Sequence, residues 1–208
     1  MDGSGPRERY RAQVHAEIKG HAWEQLATAG VSALSLNAIA KRMGMSGPAL
    51  YRYFASRDEL LTELIRDAYR SLADTVLAAR EAGADVSGLA HAIRGWALDD
   101  PHRYFLIYGT PLPGYHAPDE TTTISNEIFT VLVEAHTTVS TEAPFEALLG
   151  EYGDWADSEP TRTVVHRALT FWTRLHGVLS LELAGHFAGM AFDPARLFEA
   201  ELKDLQAR

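Results

Sequence analysis

The chain has no cysteine. That excludes disulfides, thiolate metal ligands and cysteine nucleophiles together, and it fits a reducing compartment. No uninterrupted apolar stretch approaches the roughly 20 residues needed to span a bilayer. The start, MDGSGPRERYRAQ, is polar and lacks the apolar core of a signal peptide. We therefore expect a soluble cytoplasmic protein with no membrane partner. The common catalytic signatures are missing too. There is no G-x-S-x-G, no phosphate-binding glycine loop and no HExxH, and no His pair at i, i+4 stands beside a supporting carboxylate. Neither an enzyme, nor a metal centre, nor a resident cofactor is expected.

What is present is an ordinary globular composition in 208 residues, 46% hydrophobic and 23% charged. That length allows one or two domains and a sizeable core. The net charge of −9 is unevenly spread. Residues 1–60 carry eight Lys/Arg and six Asp/Glu, and the remaining 148 carry eleven and 22. The result is a basic head on an acidic body. Phosphate attraction is screened over about 8 Å at physiological salt, so the head's sign matters more than the total.

The head holds the most organised stretch, SLNAIAKRMGMSGPALYRYFASRDELL from Ser35 to Leu61. Leu36, Ile39, Ala40 and Met43 share one face of a short helix. Ser35 suits its N-cap, and Gly44 its end, where φ > 0 is needed. Ser46 can cap a second segment with Pro48 in its first turn. Ala49, Leu50 and Phe54 then face inward, leaving Gly47, Tyr51, Arg52 and Tyr53 outside. Helix, tight turn and second helix make a helix-turn-helix pattern, whose second helix enters the DNA major groove. Periodicity of this kind is weak by itself, because any αα-hairpin produces it.

The string is stronger. IAKRMGMSGPALYRYFASRDELL resembles the signature of TetR-family transcriptional regulators through Ile39, Ala40, Gly44, Met45, Ser46, Leu50, Tyr51, Tyr53, Phe54, Ser56, Arg57, Asp58, Leu60 and Leu61. The resemblance covers residues 8–65. It implies an operator of double-stranded DNA, with Tyr51 and Tyr53 on phosphates and Arg57 as a basic phosphate clamp. On residue chemistry, Gly47, Pro48 and Arg52 are the candidates for base edges, and Arg52 can pair bidentately with guanine. Ser35 and Asn37 open the first motif helix, where hydroxyl, amide and backbone N–H groups can hold phosphate. Lys41 and Ser46 complete the expected DNA-contacting set.

In chain order, a first helix is expected over Arg7–Thr28, with Val14, Ile18, Ala22, Leu26 and Trp23 inward. Ser56 and Glu59 form a capping box for a long fourth helix, Arg57–Arg80. Further helices are expected over Val86–Leu98, Pro101–Tyr108, Glu120–Val139, Thr161–His186 and Pro194–Ala207, with a weak helical piece around Phe145–Tyr152. The expected fold is all-α with about nine helices: a DNA-binding head over 1–55 and a ligand-binding and dimerisation body over 56–208. The helix from Thr161 has two apolar stripes where a surface helix needs one. This points to a homodimer interface through Val164, Phe171, Leu175, Val178, Phe198 and Leu202. The resemblance implies the same, since the family's last two helices pair with their copies. Leu175-His176-Gly177 also resembles the Trp-His-Gly sub-group of ligand domains.

The body is rich in aromatic and His side chains. Trp96, Tyr104, Phe105, Tyr108, Phe129, His136, Trp172 and His176 are candidates to line a pocket for a small apolar or aromatic effector, which needs apolar walls and a few polar groups. Each of them could equally fill core. The reading is a repressor that binds a palindromic operator as a homodimer and is released by an effector. A dimeric DNA-binding module without effector, and an α-helical binding protein with a vestigial head, remain as alternatives.

Overall fold

The computed structural model describes residues 5–109, 114–115, 118–137 and 162–207. Among them the secondary structure is helical throughout: α1 (Pro6–Ala29), a 3₁₀ turn (Val31–Ala33), α2 (Leu36–Arg42), α3 (Gly47–Leu50), α4 (Arg57–Glu81), α5 (Val86–Asp99), α6 (Pro101–Tyr108), α7 (Asp119–His136), α8 (Arg162–Leu183) and α9 (Pro194–Gln206). The helical piece expected around residues 145–152 lies outside the described residues.

Helix starts follow local chemistry. Side-chain oxygens of Ser35, Ser46, Ser56, Asp85, Asp100 and Asp193 each accept from a backbone N–H one turn into their helix, satisfying donors that have no intrahelical partner. The box at Ser56 is shifted by one residue: Glu59 accepts from the N–H of Ala55. Gly44 ends the first motif helix at φ 66°, a conformation that disfavours other residues.

Two apolar cores result. The head core joins Val14, Ile18, Ala22 and Leu26 of α1 to Leu36, Ile39, Leu50 and Phe54 of the motif. The body core is built from α5, α7, α8 and α9, with Tyr104 from α6. The fourth helix belongs to both: Leu60, Leu61, Leu64, Ile65 and Ala68 enter the head core, and Leu72, Ala73 and Val76 enter the body core. Further along the chain, α6 is shared in the same way, with Leu106 in the head core and Tyr104 in the body core.

Two expectations change here. Residues 51–53 form a turn after α3 instead of continuing it, because the Tyr53 N–H donates to the Leu50 carbonyl at 2.8 Å in an i→i+3 bond. The six residues assigned to a dimer interface, Val164, Phe171, Leu175, Val178, Phe198 and Leu202, are all buried in the protomer's own core. The reason is that α8 packs against α5, α7 and α9 of the same chain, which consumes that stripe. Its second stripe is half-buried at Leu169 and Trp172. The outward face of α8 is a third one, Thr173, Gly177 and Leu181, of which Leu181 is 45% exposed.

Because Leu72 is fully buried where α4 crosses into the body, Leu72→Ala should destabilise the protein by about 2–5 kcal/mol in denaturant titration. Leu181→Ala, on the exposed face, should change the stability of the isolated protomer by less than about 0.5 kcal/mol.

Candidate functional site

The head presents Asn37, Lys41, Pro48, Tyr51 and Arg52 to solvent, all exposed, with Gly47 and Tyr53 half-buried beside them. Tyr51 is 45% exposed. Ser35 and Ser46 are occupied as caps, each accepting at 3.3 Å from Ala38 and Ala49. Their role in the fold is positional: they aim the starts of α2 and α3. Gly47 sits close to Asn37, whose Oδ1 would lie 3.7 Å from a Cβ at that position. The two helix starts therefore form one continuous surface. Arg42 is engaged by Glu24 of α1 at 2.6 Å, while Lys41 has no ion-pair partner among the described residues.

The role expected of Arg57 is corrected. Its Nε donates to the Leu34 carbonyl at 3.1 Å and its Nη2 to the Val31 carbonyl at 2.7 Å. The guanidinium ties the start of α4 to the turn before α2. Two of its donors are thus spent on backbone instead of being presented to phosphate.

In the body, a cavity of about 400 Å³ opens between α4, α6, α7 and α8. Its walls are Tyr69, Tyr108, Thr121, Thr122, Ser125, Asn126, Phe129, Leu169 and Trp172. Three of the eight expected pocket residues, Tyr108, Phe129 and Trp172, line it. His176 and Tyr104 stand behind that wall: the His176 ring lies 4.0 Å from Trp172 and 4.4 Å from Tyr108, centroid to centroid. Trp96, Phe105 and His136 do not line it. Trp96 is buried and donates to Ser71 Oγ at 3.1 Å, Phe105 packs edge-on to Tyr104, and His136 bonds the Leu132 carbonyl through Nδ1. The polar wall, Thr121, Thr122, Ser125 and Asn126, was missed. Its spacing on α7 is that of one helical face opposite Ile124, Ile128 and Leu132, a legible signal that aromatic counting overlooks.

Polar pairing behind the wall is incomplete. The Tyr104 hydroxyl meets Ser180 Oγ at 2.7 Å and His176 Nδ1 at 2.9 Å. His176 Nε2 and the Tyr108 hydroxyl are buried without a hydrogen-bond partner. Burial pushes the His176 pKa down to about 4, so its ring is neutral near pH 7. Burial raises the Tyr108 phenol well above its ordinary value, so it too stays neutral.

A helix-turn-helix head with an exposed polar and cationic face, seated on a larger helical body, is the architecture of a DNA-binding transcriptional regulator. Family models agree in both halves. One described as bacterial regulatory proteins of the tetR family matches residues 20–64, and one described as the tetracyclin repressor-like C-terminal domain matches residues 86–205. The HTH-type transcriptional regulators Rv1816 of Mycobacterium tuberculosis and Mb1846 of Mycobacterium bovis are each 37% identical, over 98% of this chain and 95% of theirs. The crystal structure of the regulatory protein SCO4313 superposes with a TM-score of 0.92 at 67% identity, covering 98% of this chain and all of that one. A Rhodococcus sp. RHA1 protein of unknown function shares the fold, with a TM-score of 0.70 at 21% identity over 93% of this chain and 94% of that one. The chain belongs to the TetR family of transcriptional regulators, and it is a regulator, not an enzyme.

An unpaired buried hydroxyl costs about 1–3 kcal/mol. Tyr108→Phe should therefore raise the melting temperature of the ligand-free protein by about 2–4 °C. Tyr104→Phe, which strands Ser180 and His176, should lower it by a similar amount; differential scanning calorimetry of the two variants reads both signs.

Proposed function

We propose that this regulator is a repressor that binds a two-fold symmetric operator as a homodimer and leaves it when a small molecule fills the body cavity. The observation that carries this reading is the double membership of α4. Tyr69 lines the cavity and packs against both cores. A ligand that moves Tyr69 therefore acts on the helix that floors the head. The sixth helix adds a second route. Beside Tyr104, Arg103 places its guanidinium 5.5 Å from the Trp23 ring of α1 and donates to Ser71 of α4 at 3.3 Å. A ligand that favours one arrangement of these helices shifts the population away from the DNA-competent form.

On this reading the DNA-binding unit is residues 1–55 resting on the first half of α4. Asn37, Lys41, Ser35 and Tyr51 approach phosphates, with Tyr53 beside them. Gly47, Pro48 and Arg52 approach base edges. The homodimer uses the outward face of α8 at Thr173, Gly177 and Leu181, together with the exposed side of α9. Small residues there allow close helix approach, and a two-fold contact is self-complementary. His176 and Gly177, which carry the resemblance to the Trp-His-Gly sub-group, then serve different surfaces: His176 the cavity wall, Gly177 the partner.

Selection of bound DNA from a random-sequence pool at fixed, near-physiological salt tests the reading. The expected product is an inverted repeat with half-sites about 34–36 Å apart, or a multiple of that. Arg52→Ala should cost about 1–3 kcal/mol and relax preference at one base position. Lys41→Ala should weaken all sequences alike and reduce the salt slope by about 1. Recovery of no common sequence would overturn the operator reading. In sedimentation, Leu181→Asp should convert the dimer to monomer while leaving the helical content unchanged; a persistent dimer would move the interface elsewhere.

A further inference from the structure

Resting on the reading of the cavity as an effector site, we propose that its ligand is an uncharged molecule with an apolar or aromatic body and one hydroxyl or carboxamide group, anchored on the Tyr108 hydroxyl. Three observations converge on this. First, no Asp, Glu, Lys or Arg lines the cavity, so an ionised group entering it would lose its hydration without gaining a counter-charge. An anion would be opposed further by the acidic body. Arg70 and Glu127, the ion pair next along α4 and α7, are 2.6 Å apart and neutralise each other. Second, the aromatic rings do not form a cage for a cation. Tyr69 meets Tyr108 at 77° and Tyr108 meets Trp172 at 74°, edge to face. The remaining surroundings of the Tyr108 ring are taken by Tyr104, at 5.3 Å, and His176. The rings pack on one another and leave no stack of open faces for an ammonium group.

Third, the unpaired polar atoms specify the head group. The Tyr108 hydroxyl can both donate and accept. His176, on the neighbouring ring, has Nδ1 committed to Tyr104. Its Nε2 holds the donor or acceptor role that Nδ1 leaves over, according to tautomer. A hydroxyl or a carboxamide carries donor and acceptor together and so satisfies Tyr108 with His176 in either tautomer. A simple ketone or ester offers only acceptors. Across the cavity, Ser125 and Asn126 supply a second polar wall for the far end, while Phe129, Leu169 and Trp172 cover the apolar body.

The test is a ligand-observed NMR screen of the full-length dimer with equal numbers of neutral, anionic and cationic fragments at pH 7.4. The same screen is repeated on Tyr108→Phe and on Ser125→Phe, which narrows the cavity, after calorimetry shows that both fold. We expect hits lost on Ser125→Phe to be mainly neutral alcohols, phenols and primary amides. Tyr108→Phe should weaken them about ten-fold while leaving matched methyl analogues within about two-fold. Anionic or cationic hits in the cavity would overturn the proposed ligand class and leave the effector reading standing, as would neutral hits indifferent to Tyr108→Phe. No fragment lost on Ser125→Phe would overturn both readings, since the cavity would then take no ligand.

Discussion

The structure depends on the continuity of α4. This helix runs from Arg57 to Glu81 with no Pro or Gly inside it, so it has none of the usual causes of a kink. At 1.5 Å per residue it is about 37 Å long. Its first half closes the head core and its second half enters the body core. Neither core is complete without it, and it cannot shift in one without shifting in the other. Packed interiors are close to crystal density and transmit such displacements. Control of DNA binding from the body, as we propose it, needs no dedicated relay beyond this shared rod and α6 beside it.

Polar chemistry divides along the same axis. Three Arg–Glu pairs, Arg66–Glu120, Arg70–Glu127 and Arg80–Glu134, run along the contact between α4 and α7. They are well exposed and each contributes little to stability. Their regular spacing sets the register of the two helices that flank the cavity. Inside, Tyr104 holds Ser180 and His176 in a buried network, which fixes α6 against α8. One residue turn further on, Tyr108 has no such partner. The contrast between two tyrosines on one short helix, one satisfied and one not, distinguishes a structural anchor from a group held open for a ligand.

Much of this was legible in the sequence. The caps at Ser35, Ser46 and Ser56 and the inward faces of α1 and α4 follow from interactions within one helical turn, and they appear where the pattern places them. The family signature rests on the same local features. The aromatic pocket residues were legible only in part. Tyr108, Phe129 and Trp172 reach the cavity, whereas Trp96 and His136 find core partners, and composition cannot separate these outcomes. The α7 wall of Thr121, Ser125 and Asn126 was present as a helical spacing but was hidden by attention to aromatic residues.

The sequence by itself determined the all-α class, the helix-turn-helix and the uneven charge, because each is written in residues close together along the chain. Which neighbour receives each helix face was decided by the tertiary structure. Val164, Phe171 and Leu175 have the periodicity of an interface, yet three helices of the same chain consume them and leave Thr173, Gly177 and Leu181 outward. Arg57 has the charge of a phosphate clamp, yet carbonyls 23 and 26 residues earlier take two of its donors. Apolar area and hydrogen-bonding capacity are properties of a residue, but the partner that satisfies them is a property of the packing.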